Sequence, residues 1–361
     1  MDAKTRFNII KGISQEIVTE EELKQLLETK NSPIAYDGFE PSGIAHIAFG
    51  VYRALLVKDL LKAGVKFKLW LADWFAFINN KMQSDLNKIH KVGEYFIEVW
   101  KASGIDMNKV QVLWASEHMD SDYWKRVITI AKHTTIDRTT RCLTIMGRRQ
   151  NELKETAQYF YPMMQCSDIF QLDADICQLG IDQRKVNILA REIADKLKWK
   201  KPVLVHHAMI PGLEGKKTPE GFDDSVNLDI SIASKMSKSK PQSCLYVHDS
   251  FDEIKRKLTN AYCVPRDTVN NPVLEYCREI VFRAFKEFTI ERDRKYGGNL
   301  NFKTYSELEQ EYIEGKIHPI DLKMGLARHL NELIKPIREH FEKNKKAKAL
   351  YNFVKQQEIS R

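Results

Sequence analysis

The chain alternates short apolar runs with longer amphipathic stretches. Five runs, "PIAYDG", "KFKLWLAD", "VQVLWAS", "LDADICQLG" and "KPVLVHH", are mostly apolar, and each ends in small or polar residues. That pattern predicts strands buried on both faces. Between them, residues 44 to 63, 85 to 103 and 184 to 199 repeat apolar positions at helical spacing. Residues 5 to 30 also read as helices, with Thr19 and Glu22 in capping-box register. Strands that alternate with helices predict an α/β fold, a Rossmann-like doubly wound parallel sheet. From about Leu245 the pattern becomes successive helices rich in Lys, Glu and Leu, with few strand candidates. The predicted division is a helical segment (1–30), an α/β domain (31–244) and an all-α domain (245–361).

Doubly wound sheets bind ligands outside the carboxyl ends of their strands. The stretches that leave those ends, "YDGFEPSG", "LADWFAFINN", "ADICQLGIDQRK" and "VHHAMIPGLEG", are therefore candidate pocket walls.

Composition narrows the setting. A chain of 361 residues with 43% hydrophobic and 29% charged residues has material for a sizeable core and two or three domains. No apolar run is long enough to span a bilayer, and "MDAKTRFNIIKGISQE" lacks the apolar stretch of a signal peptide. A cytoplasmic location with no membrane association is expected. Cys142, Cys166, Cys177, Cys244, Cys263 and Cys277 form no CxxC pair and no zinc spacing, so reduced, mostly buried thiols are expected. The formal charge of +8 is compatible with a polyanionic partner without requiring one.

Two stretches carry candidate chemistry. In "YDGFEPSGIAHIAFG", residues 36 to 50, Gly38 and Gly43 allow close backbone approach, Pro41 ends the extended segment, and Ser42 is placed to cap the next helix. The free N–H groups of such a helix attract phosphate, and His46, one turn in, would donate to the same anion. The residues alone also fit an ordinary strand, turn and helix with a surface histidine. In "ASKMSKSKP", residues 233 to 241, Lys235 and Lys238 flank a serine-rich loop that is not a GxxxxGK phosphate loop. Mobile lysines can gather around a phosphate chain, and a solvated basic loop is the plainer alternative.

Taken together, these stretches resemble the "HIGH" and "KMSKS" signatures of class I aminoacyl-tRNA synthetases. The segment "YFYPMMQCSDIFQLDADICQLGIDQRKVN", residues 159 to 187, is similar to the tyrosine-binding segment of tyrosyl-tRNA synthetases of the archaeal and eukaryotic type. "RKYGGNL" and "KIHPIDLK" are similar to the same family's anticodon-binding domain. The resemblance runs from about residue 15 to 345.

It implies that Tyr36 and Asp168 hold a phenol hydroxyl and that Tyr161, Gln165 and Gln183 bind an α-amino group, with Gly38 and Glu40 in the same pocket. ATP would meet Ser42, Gly43, His46, Phe49, Met209, Lys235, Met236, Ser237, Lys238 and Ser239. His46, Lys235 and Lys238 would stabilise the reacting phosphates. Arg184 and Lys185 would lie near the acceptor stem, and Tyr296, His318 and Asp321 would read the anticodon. The implied activity is tyrosine–tRNA ligation by a homodimer, with L-tyrosine, ATP carrying Mg²⁺, and tRNA(Tyr) as partners and no tightly bound cofactor. A tryptophanyl enzyme of the same fold, or a catalytically impaired RNA-binding paralogue, are the alternatives.

Two departures stand out. The HIGH motif reads His46-Ile47-Ala48-Phe49, where Phe49 can offer only packing or shape. "KKTPEGFDDSVNLDISIA" intervenes between "PGLEG" and "SKMSKS" as an insertion of roughly twenty residues, expected to be mobile. His206-His207 reads as a strand-end pair near the adenine rather than as a metal site.

Overall fold

The computed structural model of the chain describes residues 1–148, 152–215, 218–223, 225–236 and 241–357. Its main sheet has six strands: β1 (Glu16–Val18), β2 (Ile34–Phe39), β3 (Lys66–Leu71), β4 (Val110–Trp114), β5 (Ile176–Cys177) and β6 (Val203–His206). They lie in the order β1-β6-β5-β2-β3-β4. The five strands predicted from apolar runs are all present and mutually parallel. Helices Arg53–Lys62, Leu86–Ala102 and Arg184–Leu197 match the three amphipathic stretches.

Three expectations need correction. Residues 5 to 30 are not helical throughout. Helices Ala3–Gly12 and Glu20–Thr29 flank β1, which pairs antiparallel with β6 at the sheet edge. Its three half-buried residues give no alternation to read, and their pairing is decided by β6, nearly 190 positions away by the Glu16–His206 register. The capping box is as predicted, with Glu22 N–H on Thr19 Oγ1 and Thr19 N–H on Glu22 Oε2, both at 3.1 Å.

Next, the helix after β2 starts late. It opens as a π turn at Ala48–Tyr52 whose cap residue, Ile47, makes no side-chain hydrogen bond. Ile47, not Ser42, is therefore the cap residue, and His46 precedes the helix instead of lying one turn inside it. Last, the helical C-terminal part contains a hairpin, β7 (Phe288–Ile290) with β8 (Leu300–Phe302).

Buried Arg6 ties the first two helices to the sheet layer. It donates to the carbonyls of Ala63 (2.8 Å), Leu27 (2.9 Å), Lys30 (3.2 Å) and Asn31 (3.0 Å). Two helix C-termini thereby have carbonyls satisfied by one guanidinium. One hydrophobic cluster runs from Phe7 through Leu56, Phe96 and Leu245 to Leu330 and Phe341, so the later helices share a core with the α/β part. A second cluster gathers around Tyr36, Trp70, Met164 and Leu189. All six thiols are free, and all but Cys263 are buried. Among the described residues no helix is long and apolar enough to cross a membrane.

Candidate active site

The strand order reverses between β2 and β5: β3 and β4 follow on one side of β2, and β6 follows β5 on the other. A crevice must open outside the carboxyl ends at that point. The structure has a cavity of about 1290 Å³ lined by residues from all four stretches expected to wall it, including Tyr36, Ala72, Gln183 and Met209.

At the deep end lies Tyr36 on β2. It is 1% exposed, and its hydroxyl is buried without a hydrogen-bond partner. Asp168, 2% exposed on helix Tyr161–Gln171, accepts from the Tyr123 hydroxyl at 2.8 Å. Burial pushes its carboxyl well above the ordinary range, while the Tyr123 hydroxyl and the nearby Trp70 indole pull it back. The indole N–H itself stays outside good hydrogen-bond geometry. A buried carboxyl beside a buried, unpartnered phenol is costly, and a ligand hydroxyl that can both donate and accept would relieve it.

Further out, Glu40 accepts from the Tyr161 hydroxyl at 2.6 Å and from Asn79 Nδ2 at 3.0 Å. Asn79 is held by Arg148, whose Nε donates to Asn79 Oδ1 at 2.6 Å. Gln165 Nε2 donates to Gln183 Oε1 at 3.0 Å, and Gln183 Nε2 donates to the Ile145 carbonyl at 3.2 Å. Carboxylate and amide oxygens thus converge here with an aromatic hydroxyl, a setting suited to an ammonium group. Gly38 completes this part of the wall.

The other half of the cavity is lined by Ser42, His46, Phe49, Met209, Lys235 and Met236. His46 forms an isolated bridge with Tyr246. Its Nδ1 accepts from the Phe49 N–H at 3.2 Å, so the neutral ring carries its proton on Nε2. Phe49 packs among Phe39, Phe96 and Trp100, with centroids 4.1 to 5.4 Å away. Gly43, at φ 117°, is buried outside this lining and turns the chain in a conformation other residues rarely adopt. Lys235 Nζ lies 2.9 Å from Asp182 Oδ2. Ser237, Lys238 and Ser239 lie outside the described residues.

His207 also lines the cavity. Its Nδ1 is 3.4 Å from Arg53 and 3.3 Å from Gln178 Nε2, and burial together with the Arg53 charge holds its pKa well below the usual range. His206 is buried and bonded to Glu16 and Asn187. Among the described residues no cluster of three or more His, Cys, Asp or Glu side chains forms a metal cage.

The remaining expected residues lie outside the cavity. Arg184 pairs with Glu16 at 2.8 Å. Lys185 donates to the Phe222 carbonyl at 2.7 Å and lies 3.6 Å from Asp223, both in the insertion. The insertion contains a helix, Val226–Ser234, and lends Glu220, Phe222, Ile232 and Ala233 to the cavity wall. Tyr296 is 65% exposed, in the connection between β7 and β8. His318 caps helix Pro319–Lys343 through Nδ1, and Asp321 sits in its first turn. Arg292 bridges the two places by donating to the carbonyls of Gly298 and Lys316.

Sequence reasoning missed Tyr123, Asn79, Arg148, Lys81 and Asp182. Asp182 sat in a quoted motif, beside Gln183, and Asn79 in the quoted wall stretch "LADWFAFINN", but neither was singled out. Lys81 lines the cavity in a segment where Asn80, Met82, Gln83 and Ser84 all have left-handed φ of 51° to 58°. Strain of that kind gathers at binding sites.

A family model described as tRNA synthetases class I (W and Y) matches residues 28–335. Tyrosine–tRNA ligase 1, cytoplasmic, of Arabidopsis thaliana is 45% identical over 364 residues, covering 100% of this chain and 90% of the relative. The tyrosine–tRNA ligase of Saccharolobus solfataricus is 43% identical, covering 95% of this chain and 94% of its own. Among solved structures, tyrosyl-tRNA synthetase of Pyrococcus horikoshii complexed with L-tyrosine superposes with a TM-score of 0.88 at 38% identity, over 98% of this chain and 100% of that one. The Leishmania major enzyme in complex with tyrosinol gives 0.88 at 39% identity, over 98% of this chain and 66% of that one.

Proposed function

From the fact that the chain belongs to the class I tRNA synthetases of the W and Y family, we infer that it is a tyrosine–tRNA ligase. It activates L-tyrosine with ATP and passes the tyrosyl group to tRNA(Tyr). The observation that carries the choice of tyrosine is the deep end of the cavity, where the unpartnered Tyr36 hydroxyl faces the same space as the buried Asp168 carboxyl. A phenol hydroxyl donates to the carboxylate and accepts from Tyr36. An indole has no acceptor to offer Tyr36, which disfavours the tryptophanyl alternative.

The α-ammonium group rests against Tyr161, Gln165 and Gln183, with Glu40 supplying negative charge. The tyrosine carboxylate, already ionised at neutral pH, attacks the α-phosphorus of ATP. The bond to the bridging oxygen breaks, and pyrophosphate leaves with its electron pair. No general base is needed, so the protein's part is positioning and charge stabilisation. His46 Nε2–H donates to the phosphates. Lys235, released from Asp182, and Lys238 neutralise the charge that develops on the leaving group. Mg²⁺ carried in on the ATP phosphates would supply further counter-charge beside these lysines. The tyrosyl group then passes to the 2′-hydroxyl of the terminal tRNA ribose, with AMP as the leaving group.

Arg184 and Lys185 meet the acceptor stem once freed from Glu16 and the insertion. Residues 245–361 serve as the anticodon-binding unit through Tyr296, His318 and Asp321. The exposed apolar side chains Trp124, Ile128 and Ile136 support a homodimer, and the free buried thiols support a reducing compartment, the cytoplasm. ATP–pyrophosphate exchange run with each amino acid tests the central reading. Exchange with tyrosine is expected, and exchange with tryptophan alone would overturn it.

A further inference from the structure

The His46 carbonyl accepts from the Phe49 and Gly50 N–H groups, both at 3.0 Å, at the mouth of the helix, but the chain just before it has no helical hydrogen bonds to hold it. The peptides on either side are pinned by other means. The Ala45 carbonyl accepts from the Val247 N–H at 3.1 Å, and the Ile47 N–H donates to the Leu245 carbonyl at 2.8 Å. The Ala45 N–H donates to the hydroxyl of Tyr95, a fully buried residue of helix Leu86–Ala102, at 3.2 Å. That hydroxyl lies 2.8 Å from His248 Nε2. Burial, with the charges of Arg338 and Lys355, depresses His248 to about 3, so its ring is neutral at physiological pH. With His248 in its Nδ1–H tautomer, Tyr95 accepts from Ala45 and donates its one proton to His248 Nε2, and the relay has a single direction.

The far end of the relay is equally well held. Lys257 Nζ donates to the Cys244 carbonyl at 2.9 Å and to Asp249 at 2.6 Å. Arg338 donates to the Asp249 carbonyl at 2.7 Å. The His248 ring stacks on Tyr351 at 3.7 Å and meets the edge of Phe341 at 4.8 Å. Residues 244–249 follow the lysine loop within a few positions, so this anchor joins the histidine signature, the loop's exit and helix Lys345–Lys355.

We propose that Tyr95 and His248 are positioning residues for amino-acid activation, holding the Ala45 peptide so that the His46 side chain is presented to the reacting phosphates. The inference rests on the ligase reading. Neither residue lines the cavity, and both act through His46.

Tyr95→Phe keeps the ring packing and removes only the oxygen. It is expected to lower kcat for tyrosine-dependent ATP–pyrophosphate exchange by about five- to tenfold, the effect of one lost hydrogen bond that leaves a buried N–H unpaired. Tyrosine affinity by calorimetry should stay at the wild-type value. Hydrogen exchange at the Ala45 amide should accelerate. His248→Leu should reproduce the loss, and His248→Gln, which restores an acceptor, should recover most of it. The double variant Tyr95→Phe with His248→Leu should be no slower than Tyr95→Phe alone. Wild-type kcat in Tyr95→Phe, or an equal loss of tyrosine affinity, overturns the inference while leaving the ligase reading intact. Absence of exchange by the wild-type protein with any amino acid overturns both. If Tyr95→Phe does not fold, the contrast between His248→Leu and His248→Gln decides, and equal activity in those two variants overturns the inference.

Discussion

Replacing Asp168 by Asn tests the pocket most directly, because it changes one atom type and almost no volume. In the wild-type pocket one carboxyl oxygen takes the Tyr123 hydroxyl at 2.8 Å, which leaves the other for the substrate phenol. Asparagine can turn its NH₂ toward Tyr123, whose own proton has the Met164 carbonyl at 2.9 Å as an alternative acceptor. The amide oxygen then faces the phenol. The two hydroxyls that donate to Asp168 once tyrosine is bound favour its ionised form against burial, so what is lost is the charge on the acceptor. A hydrogen bond to a charged group contributes about 1.5–3 kcal/mol against about 1 kcal/mol for a neutral one, so the expected loss is about 1–2 kcal/mol, or about 5- to 30-fold in tyrosine kcat/KM. Phenylalanine makes no such bond and should not suffer. It is expected to gain slightly, because a neutral amide is cheaper to leave unpaired than a carboxylate. The ratio of tyrosine to phenylalanine kcat/KM should therefore fall by about tenfold. ATP–pyrophosphate exchange with each amino acid measures it, and a thermal melt confirms the fold. An unchanged ratio in a folded variant would mean that another carboxylate reads the phenol.

The lysine loop gives a complementary test: Lys238→Ala should slow adenylate formation in single turnover while tyrosine binding by calorimetry stays near wild type, and equal losses in both would contradict a role confined to the transition state. Arg6→Met should cost about 2–4 kcal/mol in urea unfolding, because four carbonyls at two helix ends lose their donor; a loss below about 1 kcal/mol would mean that water replaces the guanidinium. Asp37 is buried beside Arg53 at 3.4 Å, and burial outweighs the guanidinium to push its carboxyl from 3.8 to about 7. The folded state then holds that proton more tightly than the unfolded chain, so its stabilising contribution is full below the ordinary value and is lost as pH rises through about 7. Asp37→Asn mimics the protonated form, so it should match wild type in acid and gain on it in thermal melts run toward alkaline pH. A variant that loses ground instead would show that Arg53 dominates over burial.

What could be read from the sequence follows from how far apart the decisive atoms lie along the chain. Each parallel strand carries its own evidence, an apolar run stopped by small residues, and the carboxyl-end rule then points to four wall segments without any knowledge of pairing. β1 and the β7–β8 hairpin escape because three residues show no alternation and their partners are distant or separated by a long connection. The same distinction divides the cavity. Tyr36, Gly38, Glu40, His46, Tyr161, Gln165, Asp168 and Gln183 fall in short motifs with recognisable spacing. The residues that hold them do not. Tyr123 reaches Asp168 across 45 positions, Asn79 reaches Glu40 across 39, and His248 reaches Tyr95 across 153. Each is an ordinary member of a helix or loop until the fold delivers it beside a buried polar atom. The requirement it meets, that no buried donor or acceptor go unpaired, exists only in three dimensions. Tyr36 is the instructive exception: its hydroxyl lacks a partner among the described residues, and it sits where a motif predicts a ligand. An orphaned polar atom on the floor of a cavity and a motif legible in the sequence point to the same place, as a ligand with a hydroxyl of its own would require.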